Sequence, residues 1–174
     1  MDAIRDANRK VNRACAGAAA AMGAKLHITD FPGYWPRNYC ESFIDVFAAT
    51  AQQVGLDFVY EKGKWGSGCS DMGDICAVMP ALHPTVAGAQ GAAHGVNYQI
   101  ADRESACIRS AQWQYLSLRS LLENGGQKAR QILAEYTPAF RCKEDYFAYV
   151  DALDMRKQVV SYDREGTVVL HYVK

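Results

Sequence analysis

The sequence predicts a mixed α/β or α+β fold, and three observations carry the prediction. Apolar residues recur at helical spacing over 2–22, 38–54 and 102–122. Short alternating or apolar runs at 25–30, 56–60 and 158–162 read as strands. Clusters of glycine and proline separate these segments, so helices and strands interleave along the chain rather than falling into two blocks.

In the first element, Ile4, Val11, Ala14, Ala18 and Met22 recur at helical spacing in an alanine-rich run, and alanine is the best helix former. Gly23 is a natural stop. Residues 25–30 then alternate, with Leu26 and Ile28 on one face and His27 and Thr29 on the other, as in a half-buried strand. Phe31-Pro32-Gly33-Tyr34-Trp35-Pro36 excludes regular structure and marks a boundary. Asn38 with Glu41 has capping-box spacing, and the helix it would open carries Phe43, Phe47, Ala51 and Val54 on one stripe before Gly55. Residues 56–60 read as a short apolar strand.

Asp102 opens a helix whose stripe Ile108, Ala111, Tyr115, Leu118 and Leu122 reads as core packing, and Asn124-Gly125-Gly126 ends it. Short helices are expected over 127–136 and 143–153. Residues 158–162 and 167–173 read as a β-hairpin with Gly166 at the left-handed turn position. The first helix–strand unit poses a problem: its single strand has no partner nearby in sequence, yet a lone strand leaves ladder groups unpaired. The expectation is that the partner is missing or comes from another chain.

A length of 174 residues allows one domain or two small ones, and 49% hydrophobic residues is normal for a globular chain. Nineteen basic and nineteen acidic residues cancel, which argues against nucleic acid as a partner. Six scattered cysteines contain no C-x-x-C pair, so neither a zinc ribbon nor a thioredoxin motif is visible; buried reduced thiols and a cytoplasmic location are expected. Arg5, Arg9, Lys10 and Arg13 precede an alanine-rich run, but Asp2 and Asp6 and the weak hydrophobicity of that run speak against a signal peptide. No stretch approaches the roughly 20 apolar residues that span a bilayer, so no membrane partner is expected.

The chemistry concentrates between Gly66 and Gly95, where tight glycine turns surround Asp71, Asp74 and His94. Carboxylates and an imidazole are the groups that bind metal ions or move protons. Each has a plainer role as well. His94 can bond backbone in a glycine-rich turn, the aspartates can form Asx turns, and Asn38 can be a helix cap. His27, His83 and His171 read as structural or surface residues. Cys69 and Cys76 flank the aspartates, but a cysteine nucleophile lacks any evident orienting residue beyond His94.

At Gly68-x-Ser70-Asp71-Met72-Gly73-Asp74 and Gly91-x-x-His94-Gly95 the chain resembles the C-terminal half of the zinc aminoacylase/carboxypeptidase family. The similarity is greatest to the aminobenzoyl-glutamate type of amidohydrolase, and it extends from about Ile4 to about Phe140. The resemblance implies an α/β catalytic domain holding two divalent ions, zinc or manganese, interrupted by an α+β lid that often dimerises. On that reading 1–38 is the second half of the lid, 39–141 the C-terminal part of a zinc-exopeptidase-like domain, and 142–174 an extension. His94 falls where the family has its last metal ligand, and Asn38 where a lid asparagine contacts the carboxylate end of a small N-acyl amino acid substrate. Asp71 and Asp74 resemble residues that line the site.

The family's early His-x-Asp motif and adjacent Glu-Glu pair, which supply most ligands and the general base, have no match here. The expected function is therefore that of a fragment of a metal-dependent amidohydrolase, inactive alone, with no catalytic residue of its own. Its expected partners are the missing N-terminal half and other copies of itself. The alternative is a truncated or split-gene product that acts as a non-catalytic binding or dimerisation module.

Overall fold

A twenty-residue helix, α1 (Asp2–Ala21), opens the chain and ends at Gly23, whose φ of +69° needs glycine. In the computed structural model, which describes residues 1–60 and 68–171, it is followed by β1 (Leu26–Asp30), α2 (Glu41–Gln53) and α3 (Met72–Val78). Next come β2 (Ala89–Gln90), β3 (Gln99–Ile100), a π-helical stretch (Glu104–Arg109) and α4 (Ser110–Glu135). The series closes with α5 (Lys143–Asp151), β4 (Met155–Tyr162) and β5 (Val168–Leu170). The fold is mixed α+β with small antiparallel sheets. Gly66 and Ser67 at the start of the glycine-rich stretch, and the end of the expected strand 167–173, lie outside the described residues.

The chain forms two compact units, one from Met1–Trp35 with Phe140–Lys174 and the other from Pro36–Ala139. The first unit corrects the expectation about the lone strand. β1 finds its partner in the same chain: β4 runs antiparallel to it from Leu26↔Val160 to Asp30↔Met155, and β5 adds to the far side of β4. Residues 142–174, set apart in the sequence reading, thus complete the sheet that β1 begins. The hairpin turn forms as expected: Gly166 has φ +83°, and Asp163 Oδ1 accepts the N–H groups of Glu165 at 2.9 Å and Thr167 at 2.8 Å.

Helix α1 packs on this sheet, though not through its expected stripe. Ile4, Val11 and Met22 are exposed, at 61%, 58% and 82%. The packed face is Ala16, Ala19 and Ala20, set against Ile28, Val159 and Val160. Small side chains let the helix lie close to the sheet, and Val160 becomes fully buried beneath it.

The second unit is built on the crossing of α2 and α4. Asn38 does not open α2: the helix starts two residues later than the capping-box spacing implied, its N-cap is Cys40, and no side chain caps it. Ile44, Val46, Thr50 and Ala51 are buried, with Phe43 and Phe47 half-buried beside them. On α4 the expected stripe again faces outward, Tyr115, Leu118 and Leu122 being exposed. Trp113 and Ser117 point inward instead, and Leu121 packs on the cluster of Cys40, Val46, Ile132 and Tyr136.

Asp102 does initiate this helical region, its Oδ1 accepting Ser105 N–H at 3.1 Å. Asn124, Gly125 and Gly126 all take positive φ and break the helix within its assigned span, as the sequence suggested. Residues 56–60 are not a strand. They run as irregular chain after Gly55, and Phe58 packs edge-on against Trp113 at 5.9 Å. All six cysteines are free, but only Cys40 and Cys76 are buried, so the expectation of buried thiols fails for the other four. No described helix is long and apolar enough to cross a membrane.

Candidate functional site

Within the second unit, the segment after Pro36, the chain after Gly55 and the start of α4 enclose a cleft of about 750 Å³. Its wall includes Arg37, Asn38, Tyr39, His83, Arg109 and Trp113. Aromatic packing fixes the apolar side: Phe43, Phe47, Trp113 and Phe58 follow one another edge to face, with centroids 5.4 to 5.9 Å apart. The Trp113 indole N–H donates to Phe47 O at 2.8 Å, which ties α4 to α2.

The polar side is positively charged. Arg109 donates to Gly55 O at 3.3 Å, and Arg37 donates to Gly68 O at 3.5 Å with its guanidinium 5.8 Å from the Tyr39 ring. Among the described lining residues Asp57 is the sole carboxylate. The Tyr39 hydroxyl is buried and has no hydrogen-bond partner among the described residues. Two anchored guanidiniums suit an anionic group on a ligand whose body lies on the aromatic wall.

Asn38 belongs to this cleft, and its side-chain amide donates to Thr137 O at 3.4 Å. Its own carbonyl accepts the Tyr136 hydroxyl at 3.1 Å, and that hydroxyl also bonds Cys76 O. The sequence reading treated His83 as structural, whereas it lines the cleft and its Nδ1 lies 3.2 Å from Ser70 Oγ. Arg37, Tyr39, His83 and Arg109 were not singled out from sequence. The adjacency of Arg37 and Tyr39 to Asn38 was the available signal, while nothing in spacing marks Arg109.

The other sequence candidates do not line the cleft. Asp71 is the exposed N-cap residue of α3, where its carbonyl accepts the N–H groups of Asp74 at 3.0 Å and Ile75 at 3.3 Å. Asp74 is half-buried in the first turn of that helix. Cys76, one turn on, is buried, and burial pushes its thiol above the ordinary range, which disfavours a thiolate nucleophile there.

His94 sits at the tip of the β2–β3 hairpin, exposed and at φ +62°. Two glycines make this conformation reachable. A Cβ on Gly91, at φ +95°, would collide with the Asn97 carbonyl, and one on Gly95 would stand 2.8 Å from Asn97 Oδ1 and 2.9 Å from Ala92 O. Asn97 Oδ1 closes the loop by accepting Ala92 N–H at 3.3 Å. The hairpin is tied to the helical region after it through Gly88 O, which accepts from Ala101 at 2.8 Å and Asp102 at 3.0 Å. The loop therefore holds one imidazole in solvent in a conformation that non-glycine residues rarely adopt.

The chain matches no family model, no curated protein and no solved structure. Among the described residues, no group of three His, Cys, Asp or Glu side chains is placed to hold a metal ion. A hydrolytic zinc site takes about three protein ligands. The described residues by themselves do not fit such a centre.

Proposed function

We propose that the chain is the C-terminal part of a metal-dependent amidohydrolase that cleaves the amide bond of N-acyl or N-aminobenzoyl amino acids. On this reading it is inactive until further polypeptide completes the metal centre. On the same reading the chain is part of a lid followed by part of a zinc-exopeptidase-like domain. The His94 loop carries the reading. A histidine held at positive φ between Gly91 and Gly95, exposed on a braced hairpin, is free to meet another polypeptide, which supports a contributed-ligand role over a core one. The zinc or manganese ion itself would be held jointly with residues of that further polypeptide.

The cleft supports the substrate side of the reading. Asn38, Arg37 and Arg109 line it, and hydrogen bonding and charge there favour a carboxylate. The test is reconstitution. Mixed with a polypeptide that carries the His-x-Asp and Glu-Glu motifs, the chain should give metal-dependent hydrolysis of an N-acyl amino acid. His94→Ala should abolish that activity, and Asn38→Ala should raise KM. Full activity with His94→Ala would remove the ligand assignment.

A second reading, a binding or dimerisation module, is favoured by the exposed apolar faces of α1 and α4. Ile4, Val11 and Met22 on one helix, and Tyr115, Leu118 and Leu122 on the other, are exposed apolar side chains that share a helix face. Concentration-dependent self-association in sedimentation, without any reconstituted activity, would favour the module.

A further inference from the structure

The first unit contains a second groove, of about 420 Å³, between α1 and the sheet. Arg5, Arg9 and Arg13, spaced four residues apart on α1, all line it. Four-residue spacing stacks side chains on one face of a helix, so the three guanidiniums form a single row roughly 12 Å long. Repeated like charges at this spacing repel one another and disfavour the helix unless something neutralises them.

The protein supplies little neutralisation. Arg9 and Arg13 make no hydrogen bond or ion pair among the described residues, and Arg5 lies over the Tyr149 ring at 6.0 Å. Asp30 is the one described carboxylate lining the groove. It is engaged by the neighbouring row of α1, its Oδ2 accepting Asn8 Nδ2 at 2.9 Å and Asn12 Nδ2 at 2.8 Å. Lys10 is handled differently: it pairs with Asp6 at 2.7 Å and does not line the groove. The opposite wall is apolar, from Ile28, Met155, Val159 and Leu170, apart from His171, whose Nε2 lies 2.9 Å from Ser161 Oγ.

We infer that this groove binds a small organic phosphate, its oxyanion held by the forks of Arg9 and Arg13 and its apolar body against Met155 and Leu170. Guanidinium forks match phosphate oxygens in pairs, and a phosphate monoester carries close to two negative charges at neutral pH. Concavity and an apolar wall favour a small molecule over an extended polyanion. The balance of nineteen basic against nineteen acidic residues argues the same way. This site is separate from the cleft that holds Asn38 and does not depend on the amidohydrolase reading.

The test titrates the full chain with phenyl phosphate at low salt by calorimetry, with inorganic phosphate and benzoate as comparators. Saturable one-to-one binding is expected, and the Arg9→Ala/Arg13→Ala variant should weaken it by about tenfold or more. Inorganic phosphate, lacking the apolar body, and benzoate, with a single charge, should each bind less tightly. Lys10→Ala should leave the affinity unchanged. If the alanine variant loses helical signal, Arg9→Lys/Arg13→Lys keeps charge and helix while removing the fork, and a severalfold loss is expected there too. Unchanged affinity in a folded double variant would overturn the proposal. So would equal affinity for phenyl phosphate and inorganic phosphate, or no saturable binding at all.

Discussion

Thr50 Oγ1 and Ser117 Oγ lie 2.7 Å apart in the buried crossing of α2 and α4. Thr50 also donates within its own helix, its Oγ1 lying 2.9 Å from Val46 O. With the Thr50 proton given to Val46 O, the Ser117 hydroxyl is the donor of the pair, and each polar group has a partner in the buried crossing. Thr50→Val leaves the Ser117 hydroxyl buried without that partner and should cost about 1 to 3 kcal/mol. Adding Ser117→Ala should recover part of that loss, because both polar groups are then gone. Urea unfolding of the two single variants and the double variant measures the coupling, and strict additivity would contradict it.

A second prediction concerns the sheet. Val160 is fully buried beneath α1 and pairs with Leu26 across the β1–β4 ladder. Val160→Ala should destabilise the first unit by about 2 kcal/mol. Hydrogen exchange should show faster opening at Ile28 and Thr29 on β1, although the substitution lies more than a hundred residues away in sequence. Unchanged protection on β1 would count against the pairing.

These two regions show what could be read in the sequence and what could not. Helices came through because alanine content, Gly23, Asp102 and Asn124-Gly125-Gly126 are local signals. The turn at Gly166 was legible for the same reason. The partner of β1 was not, since local pattern carries no information about a strand so distant in the chain. Neither evenly spaced apolar stripe, on α1 or on α4, is the packed face. On α1 the packed row is Ala16, Ala19 and Ala20, whose small side chains permit close approach, and on α4 it is Trp113 and Ser117, set by the Trp113 bond to Phe47 O and the Ser117–Thr50 contact. In the cleft, Asn38 was singled out by its family resemblance and does line the wall. Arg109 was not, since it reaches the cleft from an element far from Asn38 in sequence.

Glycine substitutions should separate strained positions from merely open ones. Gly91→Ala meets both a positive φ and the Asn97 carbonyl, so it should disrupt the His94 loop and cost more than about 2 kcal/mol. Gly166 also has positive φ, +83°, but has open space around it, and Gly166→Ala should cost only about 1 to 2 kcal/mol. Thermal unfolding ranks the two, and the reverse order would mean that the hairpin around His94 is not built as described.

Thiol chemistry offers a check on the core. Cys15, Cys69, Cys107 and Cys142 are exposed and should react promptly with a thiol reagent, whereas Cys40 and Cys76 should react only as the chain opens. Burial raises the Cys76 thiol above its ordinary 9.0 and, with the nearby Cys76 adding to it, the Tyr136 phenol above 10.0. For both groups the folded state favours the protonated form. Their contribution to stability is therefore fully present below those ordinary values and is lost as pH rises through the raised ones. Unfolding midpoints should be level near neutrality with respect to these groups and should fall in alkaline solution. A rise in stability there would contradict the assigned burial.

The outward stripe of α4 yields a prediction in which stability and association part company. Tyr115 and Leu118 are 64% and 56% exposed, while Trp113 on the opposite side is 3% exposed and bonded to Phe47 O. Trp113→Ala should cost about 3 to 5 kcal/mol, because it removes a buried ring from the α2–α4 crossing and one wall of the cleft. Tyr115→Glu with Leu118→Glu places two charges in solvent and should change unfolding by less than about 1 kcal/mol. If the stripe is an association surface, as both functional readings imply, this pair should abolish self-association in sedimentation and block reconstitution of hydrolysis. A folded double variant that still associates and still reconstitutes would show that the surface covered in the assembly lies elsewhere. The outward-facing side of α1, with Val11 and Met22, would then be the next to test.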